Sequence, residues 1–301
     1  MEHLISSMDL SKKDIKEIFK IADDFNNGIF SFVDSGTTLA LLFERPSTRT
    51  RVSFEAAMIK LGGSAIYIDS ATSQISRGES IGDTARVLSS YVDMIAARMQ
   101  KHSDIVELAE NSSIPVINAL TDMEHPCQAL SDIYTIKQVK GAIEGLRIAF
   151  VGDIAANTAN SLMVTASLAG AEISLVGPNK PNAEYLKRAR ADGHVSVYSN
   201  IIEGIRGADV VYTDTFVSMG KEKEAGQRRR AFAGYQVNRK LVSYAKKDAI
   251  IMHCLPAHRG EEITSDIIDG KQSVVWEQAR NKMLIEKAII LHLYKQRRIG
   301  F

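Results

Sequence analysis

The chain has few cysteines, no long apolar run and almost no net charge, and each shortage excludes a class of protein. Its 301 residues include two cysteines, Cys127 and Cys254, too few for a disulfide scaffold, so we expect free thiols in a reducing compartment. No run of about 18 apolar residues occurs, and the first residues lack the order of a signal peptide, which predicts a cytoplasmic protein without a membrane segment. The 37 basic and 36 acidic residues nearly cancel, so nothing in the overall charge attracts nucleic acid or an anionic membrane.

The glycine-rich turn of dinucleotide-binding folds is also absent. Residues 147–161 read RIAFVGDIAANTANS, and Gly152 is the only glycine in the turn. This argues against NAD, and we expect no cofactor. Asn157 and Asn160 stand in place of glycines, and their amides either hold a substrate carboxylate at a helix N-terminus or simply cap the helix.

Apolar runs of strand length alternate with longer stretches of helical periodicity. Strands are predicted at TTLALLF, SAIYID, DMIAARM, PVINA, RIAFVGD, EISLVG, VSVY, DVVYTD, AIIMHC and SVVWEQ. Such continuous apolar runs are typical of parallel strands that helices cover on both faces. The sequence therefore predicts an α/β fold of two doubly wound parallel-sheet domains, 1–138 and 139–277, with a C-terminal helix, 278–301, that packs back on the first domain.

The first motif with chemistry in it is STRTR, residues 47–51, directly after the predicted strand that ends at Phe43. Ser47, Thr48 and Thr50 supply hydroxyls, and Arg49 supplies a planar fork, at the point where the next helix begins. Backbone N–H groups at a helix N-terminus bind anions. A capped helix with solvated arginines is the alternative, but so many anion-binding groups in five residues favour a phosphate site.

The second motif is HPCQ, residues 125–128, which follows another predicted strand and begins a helix predicted over 125–140. A neutral His125 can donate a hydrogen bond to a carbonyl oxygen, and Gln128 offers both a donor and an acceptor. Ligands of open α/β sheets bind at this carboxyl edge of the strands. The pair suits a carbamoyl group, although His-Pro is also a common helix start.

The third motif is MHCLPAHRGEE, residues 252–262, where His253, Cys254 and His258 are three potential metal ligands. Pro256 breaks any helix that could align the two histidines, and no second cluster follows at a zinc-binding spacing. We therefore predict no metal site.

The fourth motif is DTFVSMG, residues 214–220, at the end of a predicted strand. Asp214 is a carboxylate suited to the ammonium group of an amino acid, and Ser218 and Met219 follow it in a tight polar turn.

These four motifs, STRTR, HPCQ, DTFVSMG and HCLP (253–256), resemble those of ornithine carbamoyltransferases in order and spacing along nearly the whole chain. The resemblance implies transfer of the carbamoyl group of carbamoyl phosphate to the δ-amine of L-ornithine, giving L-citrulline and phosphate in arginine metabolism. It further implies a first domain for carbamoyl phosphate, a second for ornithine, and a homotrimer or a multiple of trimers with sites near subunit borders.

The resemblance also assigns residues to each role. The catalytic residues would be Arg49, Arg98, His125 and Cys254. The carbamoyl phosphate site would comprise Ser47, Thr48, Arg49, Thr50, Gln74, Arg98, His125, Pro126, Cys127, Gln128, Cys254, Leu255 and Lys282. The ornithine site would comprise Asn157, Asp214, Ser218 and Met219. The family usually has arginine where this chain has Lys282, which replaces a planar fork by a point charge.

Other functions stay open at this point. Putrescine, aspartate or an acylated ornithine could be the acceptor, although Asp214 favours ornithine itself. A non-catalytic binder of phosphate or amino acid is a second class, since Lys282 already departs from the family pattern. A dehydrogenase is suggested only by the alternation of strands and helices, which is weak evidence for function.

Overall fold

The computed structural model describes residues 1–217 and 222–299. The chain divides into two compact units, the first formed by Met1–Leu130 and Lys282–Phe301, the second by Ser131–Asn281. The two boundaries between the units, 130/131 and 281/282, fall inside helices, so no loop marks them in the sequence. The functional domain limits given above, 138/139 and 277/278, stay a prediction.

Unit 1 contains a four-stranded parallel sheet in the order β2-β1-β3-β4. Its strands are β1 (Thr38–Phe43), β2 (Ser64–Asp69), β3 (Met94–Arg98) and β4 (Val116–Leu120). The helices that begin in this unit are α1 (Lys12–Asn26), α2 (Thr48–Lys60), α3 (Ile81–Tyr91), α4 (His102–Glu110) and α5 (Pro126–Lys140). Strands β1, β3 and β4 are buried almost throughout, whereas the edge strand β2 alternates between exposed and half-buried residues.

Unit 2 contains a five-stranded parallel sheet in the order β7-β6-β5-β8-β9. Its strands are β5 (Arg147–Val151), β6 (Glu172–Val176), β7 (Val195–Tyr198), β8 (Val210–Thr213) and β9 (Ile250–His253). The helices that follow are α6 (Asn157–Leu168), α7 (Ala183–Asp192), α8 (Ile201–Ile205), α9 (Ala225–Phe232), α10 (Arg239–Val242), α11 (Ser265–Ile268) and α12 (Val275–Ile299).

These two sheets confirm the predicted α/β fold of doubly wound parallel-sheet domains. The helix predicted over 125–140 is α5, and the C-terminal helical periodicity is α12, whose residues from Lys282 onward belong to unit 1 as expected. Among the described residues, no helix combines the length and the hydropathy that crossing a membrane requires.

One strand prediction, SVVWEQ over 273–278, is wrong. Only Ser273 forms an isolated bridge, to Ile251, and α12 begins at Val275. Val275 is fully buried in the apolar core of unit 2, and a short buried run of this kind does not distinguish a strand from the first turn of a helix.

Topology places the sequence motifs at the carboxyl edges of the two sheets. In unit 1 the strand order reverses next to β1 and β3, whose last residues, Phe43 and Arg98, lie opposite each other. In unit 2 the corresponding strands β5 and β8 end with Val151 opposite Thr213. Crevices at such switch points are where open α/β sheets bind ligands.

Candidate active site

The loop from β1 to α2 has the geometry of an anion site. Ser47 is the N-cap of α2, and its hydroxyl accepts a hydrogen bond from the backbone N–H of Thr50 at 3.3 Å. The following residues of the first turn include the exposed Arg49 and the buried Thr50. The positive end of the helix and the Arg49 guanidinium therefore share one short segment of chain.

The two arginines of STRTR differ in their surroundings. The Arg51 Nε donates to Glu55 Oε1 at 2.9 Å, and the Arg51 guanidinium carbon lies 3.8 Å from the centre of the Tyr67 ring. Arg51 is thus engaged on the surface of α2. Arg49 instead lies close enough to Arg98 to affect its pKa.

Arg98 is the last residue of β3 and is buried, with 6% of its surface exposed. Burial, together with repulsion from Arg49 and Arg45, lowers the pKa of Arg98 to about 10. Three guanidinium groups therefore concentrate positive charge at the end of β1 and β3. A phosphate dianion bound among them would offset their mutual repulsion.

His125 completes this cluster from the N-terminus of α5. Burial holds the pKa of His125 well below its ordinary value, and the charges of Lys282, Arg98 and Arg49 act in the same direction. The imidazole is therefore neutral near pH 7. A neutral imidazole is what the sequence motif predicts for a group that donates to a carbonyl oxygen. The Lys282 Nζ lies 3.4 Å from the Gln128 Oε1, so α12 contributes a cation beside the HPCQ segment.

The structure gives three other residues assigned to carbamoyl phosphate different surroundings. The Cys127 thiol is fully buried and donates to the Asn118 carbonyl oxygen at 3.3 Å, so it faces β4. Pro126 is the first residue of α5, where its ring fits helical geometry. Gln74 lies exposed on the surface, in the short helical turn Gln74–Arg77.

Unit 2 presents a second group of polar residues at its own carboxyl edge. Asn157 is the first residue of α6, and its Oδ1 accepts from the N–H of Thr158 at 2.8 Å. Asp214 follows β8, and its Oδ1 accepts from the N–H of Thr215 at 2.7 Å. Cys254 follows the neighbouring strand β9. Ser218 and Met219 lie outside the described residues.

Cys254 has the properties of a protonated thiol. Burial raises the pKa of the Cys254 thiol well above its ordinary value, and the carboxylate of Asp214, which accepts a hydrogen bond from the thiol, raises it further. The reactive form of cysteine is the thiolate, so this environment disfavours nucleophilic attack by Cys254. The thiol instead contacts the same carboxylate that is expected to bind an ammonium group.

The turn after β9 is fixed by a buried histidine. The His253 Nδ1 accepts from the N–H of Leu255 at 2.8 Å, so the proton is on Nε2, which lies 3.0 Å from Glu262 Oε1. This bond holds Leu255 at a φ of 59°, a backbone conformation that is unfavourable for a leucine. The HCLP segment therefore lies at the carboxyl edge of the sheet, where β9 ends at His253.

Within the described part of the chain, two clusters of potential metal ligands have their ligand atoms within 4.8 Å of one another: Asp214, His253 and Cys254, and His258, Glu261 and Glu262. Both ring nitrogens of His253 are used, one by Leu255 and one by Glu262. Ligation of a metal by His253 would break one of these bonds. The absence of a metal site stays a prediction.

Two buried carboxylates close to these groups, Asp132 and Glu286, are not part of any of the sequence motifs. Asp132 accepts from the Tyr212 hydroxyl and from Gln278 Nε2, each at 2.8 Å, and its charge also raises the pKa of Cys254. Glu286 lies 3.2 Å from the Lys282 Nζ. The available signal was helical spacing, because Asp132 follows Gln128, and Glu286 follows Lys282, by four residues.

Comparison with known protein families identifies two matching domains. Residues 2–138 match the carbamoyl-P binding domain of aspartate/ornithine carbamoyltransferase. Residues 144–293 match the Asp/Orn binding domain of the same family. Together the two matches account for most of the chain.

Individual relatives agree with this result. The ornithine carbamoyltransferase of Pyrococcus abyssi is 47% identical over 273 residues, which cover 88% of this chain and 86% of that protein. The enzyme of the same name from Bacillus subtilis is 45% identical over 296 residues, covering 95% and 92%. The solved ornithine carbamoyltransferase of Pyrococcus furiosus has a TM-score of 0.91 at 44% identity, with 96% of each chain covered. The anabolic enzyme of Campylobacter jejuni has a TM-score of 0.93 at 38% identity, covering 98% and 100%. The chain belongs to the aspartate/ornithine carbamoyltransferase family.

Proposed function

We propose that this protein transfers the carbamoyl group of carbamoyl phosphate to the δ-amine of L-ornithine, giving L-citrulline and phosphate. The observation that carries the proposal is the cluster of positive charge around a neutral His125 at the carboxyl ends of β1, β3 and β4. Carbamoyl phosphate carries a phosphate, which the cations bind, and a carbonyl oxygen, to which the uncharged imidazole donates a hydrogen bond. Membership of the family and relatives named ornithine carbamoyltransferase support the same reaction.

In this proposal, the phosphate of carbamoyl phosphate binds at the N-terminus of α2. The hydroxyls of Ser47, Thr48 and Thr50 and the guanidinium of Arg49 bind its oxygens, together with backbone N–H groups of the first turn. Arg98, from the neighbouring strand, contributes a buried charge that water screens little. The leaving phosphate gains negative charge during the reaction, so these groups stabilise the transition state more than the ground state.

The carbamoyl group lies next to HPCQ in the same proposal. His125, which is neutral near pH 7, donates to the carbonyl oxygen, and Gln128 binds the amide. Arg98 and Lys282 add positive charge where the oxyanion of the tetrahedral intermediate forms. Leu255 is assigned to the same ligand from the sequence motif alone.

The reaction itself requires no covalent intermediate on the protein. The lone pair of the uncharged δ-amine forms a bond to the carbamoyl carbon, and the bond from that carbon to the phosphate oxygen breaks, so that its electrons leave on phosphate. The proton that the amine loses passes to the departing phosphate or to water. An alkylamine has a pKa of about 10, so the fraction of reactive amine rises with pH. The protonated Cys254 fits a role in contacting the amine or the carbonyl rather than attacking it.

The acceptor contacts come from unit 2. We assign the α-ammonium group of ornithine to Asp214 and the α-carboxylate to the amide of Asn157 at the N-terminus of α6. Ser218 and Met219 are assigned to the same substrate from the sequence motif alone. Putrescine lacks the α-carboxylate assigned to Asn157, and aspartate lacks the distal amine, so these contacts favour ornithine.

We propose a homotrimer as the working assembly and a cytoplasmic role in arginine synthesis. The edge strand β2 and the adjacent face of α2 expose Ile66, Val52 and Ile59, each more than half accessible in the single chain. Apolar side chains grouped in this way favour burial against another subunit. Gln74 follows β2 and lies on the surface, which fits a contact made near a subunit border.

A panel of acceptors tests the proposed function. Purified protein is incubated with carbamoyl phosphate and either ornithine, putrescine or aspartate, and ureido product and phosphate are measured together. We expect citrulline and an equal amount of phosphate with ornithine only. Product with putrescine alone would reassign the acceptor, and phosphate binding without any product would identify a non-catalytic binder.

A further inference from the structure

A buried ion pair on α12 lies next to the proposed carbamoyl phosphate site. The Lys282 Nζ is 3.2 Å from Glu286 Oε1, one helical turn further along, and 3.4 Å from Gln128 Oε1 on α5. The Lys282 side chain is 8% exposed and that of Glu286 is fully buried. The carboxylate of Glu286 and the amide oxygen of Gln128 thus both contact one ammonium group.

Glu286 is not an ordinary surface partner of a lysine. Three helices face it: α12 with Lys282, α2 with Ser53, and α5 with Cys127, whose pKa the Glu286 charge raises. The Ser53 hydroxyl also donates to the carbonyl oxygen of Thr50, in the first turn of α2, at 3.2 Å. A buried ion pair seldom adds stability over an apolar pair of the same size, so its presence calls for a role other than stability.

We propose that Glu286 is a positioning residue, which holds the Lys282 ammonium beside Gln128 so that the charge reaches the carbamoyl oxygen of the substrate. The inference rests on the proposed function and goes beyond it, because Glu286 touches neither substrate. Lysine has a flexible stem and a single point charge, whereas the arginine expected at this position is a planar fork. The ion pair with Glu286 on the same helix restricts the flexibility of the Lys282 stem. It fixes the position of the charge, which the shape of the guanidinium fixes in an arginine.

The same arrangement makes the position of Lys282 depend on pH. Burial raises the pKa of Glu286 to about 7, although the Lys282 charge and the Ser53 hydroxyl act to lower it. Below that pH the carboxyl group is protonated and Lys282 loses its ionic partner. The nearby His125 does not titrate in this range, because its pKa is held well below the ordinary value.

The test compares the wild type with Glu286→Gln, which keeps the shape of the side chain and removes the charge. A hydrogen bond to a charged group contributes about 1.5–3 kcal/mol, so we expect kcat at pH 8 to fall by roughly tenfold or more, with a smaller change in KM for carbamoyl phosphate. At pH 5.5 the two proteins should differ by less than about twofold, since the wild-type carboxyl group is then also uncharged. A merely structural Glu286 would give the same ratio at both pH values and would overturn the proposal.

A double-mutant cycle provides a second readout. In a Lys282→Gln background, Glu286→Gln should have almost no further effect on kcat, because the residue through which it acts is gone. An equal loss in both backgrounds would contradict the proposal. Asp192→Asn is the matched control, since it removes another helical ion pair, with Arg188 Nε at 2.7 Å, away from these groups. It should leave kcat unchanged at both pH values.

Glu286→Asp covers the case in which the glutamine variant does not fold. It keeps the carboxyl group but shortens its reach, so we expect a lower kcat that still depends on pH, and an unchanged kcat would refute the proposal. Wild-type protein is assayed first. No citrulline from the wild type would overturn the proposed function and this inference together, whereas citrulline with an unaffected Glu286→Gln would overturn this inference alone.

Discussion

Replacing Glu286 by glutamine should change the pH dependence of stability as well as that of catalysis. The folded protein raises the pKa of this carboxyl group from 4.5 to about 7, chiefly by burial. One pKa unit corresponds to about 1.4 kcal/mol, so the shift amounts to roughly 3 kcal/mol between the protonation states. That magnitude is a large fraction of the stability of an ordinary domain.

The direction follows from where the proton is bound. Between pH 4.5 and about 7 the folded state holds a proton on Glu286 that the unfolded state releases. The contribution of Glu286 to stability is therefore fully present below pH 4.5 and is lost as the pH rises through about 7. Glutamine does not titrate, so the variant should become more favourable relative to the wild type as the pH rises.

Urea unfolding of both proteins at pH 4.5, 6 and 8 measures this difference. The change of a carboxyl group to an amide also alters packing and neutral hydrogen bonds by an amount that does not depend on pH, so the informative quantity is the change with pH in the difference between the two proteins. We expect that change to be roughly 3 kcal/mol in favour of the variant from the lowest to the highest pH. A difference that stays constant with pH would refute the reasoning about burial.

Three further predictions concern other residues. Arg49→Ala should lower kcat/KM by about 100-fold or more in a steady-state assay, because charge-assisted bonds to phosphate are lost. The guanidinium of Arg51 is engaged with Glu55, so Arg51→Ala should stay within a few-fold of the wild type in the same assay. Tyr212→Phe removes a buried hydroxyl that donates to a carboxylate at 2.8 Å, and denaturant unfolding should show a loss of about 1–3 kcal/mol. The raised pKa of Cys254 predicts alkylation by iodoacetamide at pH 8 much slower than that of free cysteine, and rapid labelling followed by mass spectrometry would contradict it.

The placement of three sequence motifs at the carboxyl edges of the sheets could be predicted because the motifs follow strands. STRTR and HPCQ follow buried strands after short loops, and HCLP begins at the last residue of β9. Parallel strands bring their carboxyl ends to one edge of a sheet. The neutral state of His125 was also expected, and burial among positive charges provides its cause. Helices α5 and α12 were predicted from periodicity within a few residues.

What the sequence did not reveal depends on packing between elements distant in the chain. Arg49 and Arg51 are equivalent in the sequence, and only the contacts of Arg51 with Glu55 and Tyr67 separate their roles. The buried state of Glu286 depends on three helices meeting around it, which no local pattern shows. The run SVVWEQ was misassigned because burial of Val275 by the core of unit 2 has the same local signature in a strand and a helix.

The most direct test of the proposed reaction follows the carbamoyl carbon itself. Wild-type protein is supplied with carbamoyl phosphate labelled with ¹³C at that carbon and with unlabelled ornithine, and the products are analysed by NMR and by a phosphate assay. The account predicts that the label appears in the ureido carbon of citrulline in equal amount to the phosphate released. Phosphate release without labelled citrulline, or label on another acceptor, would contradict it.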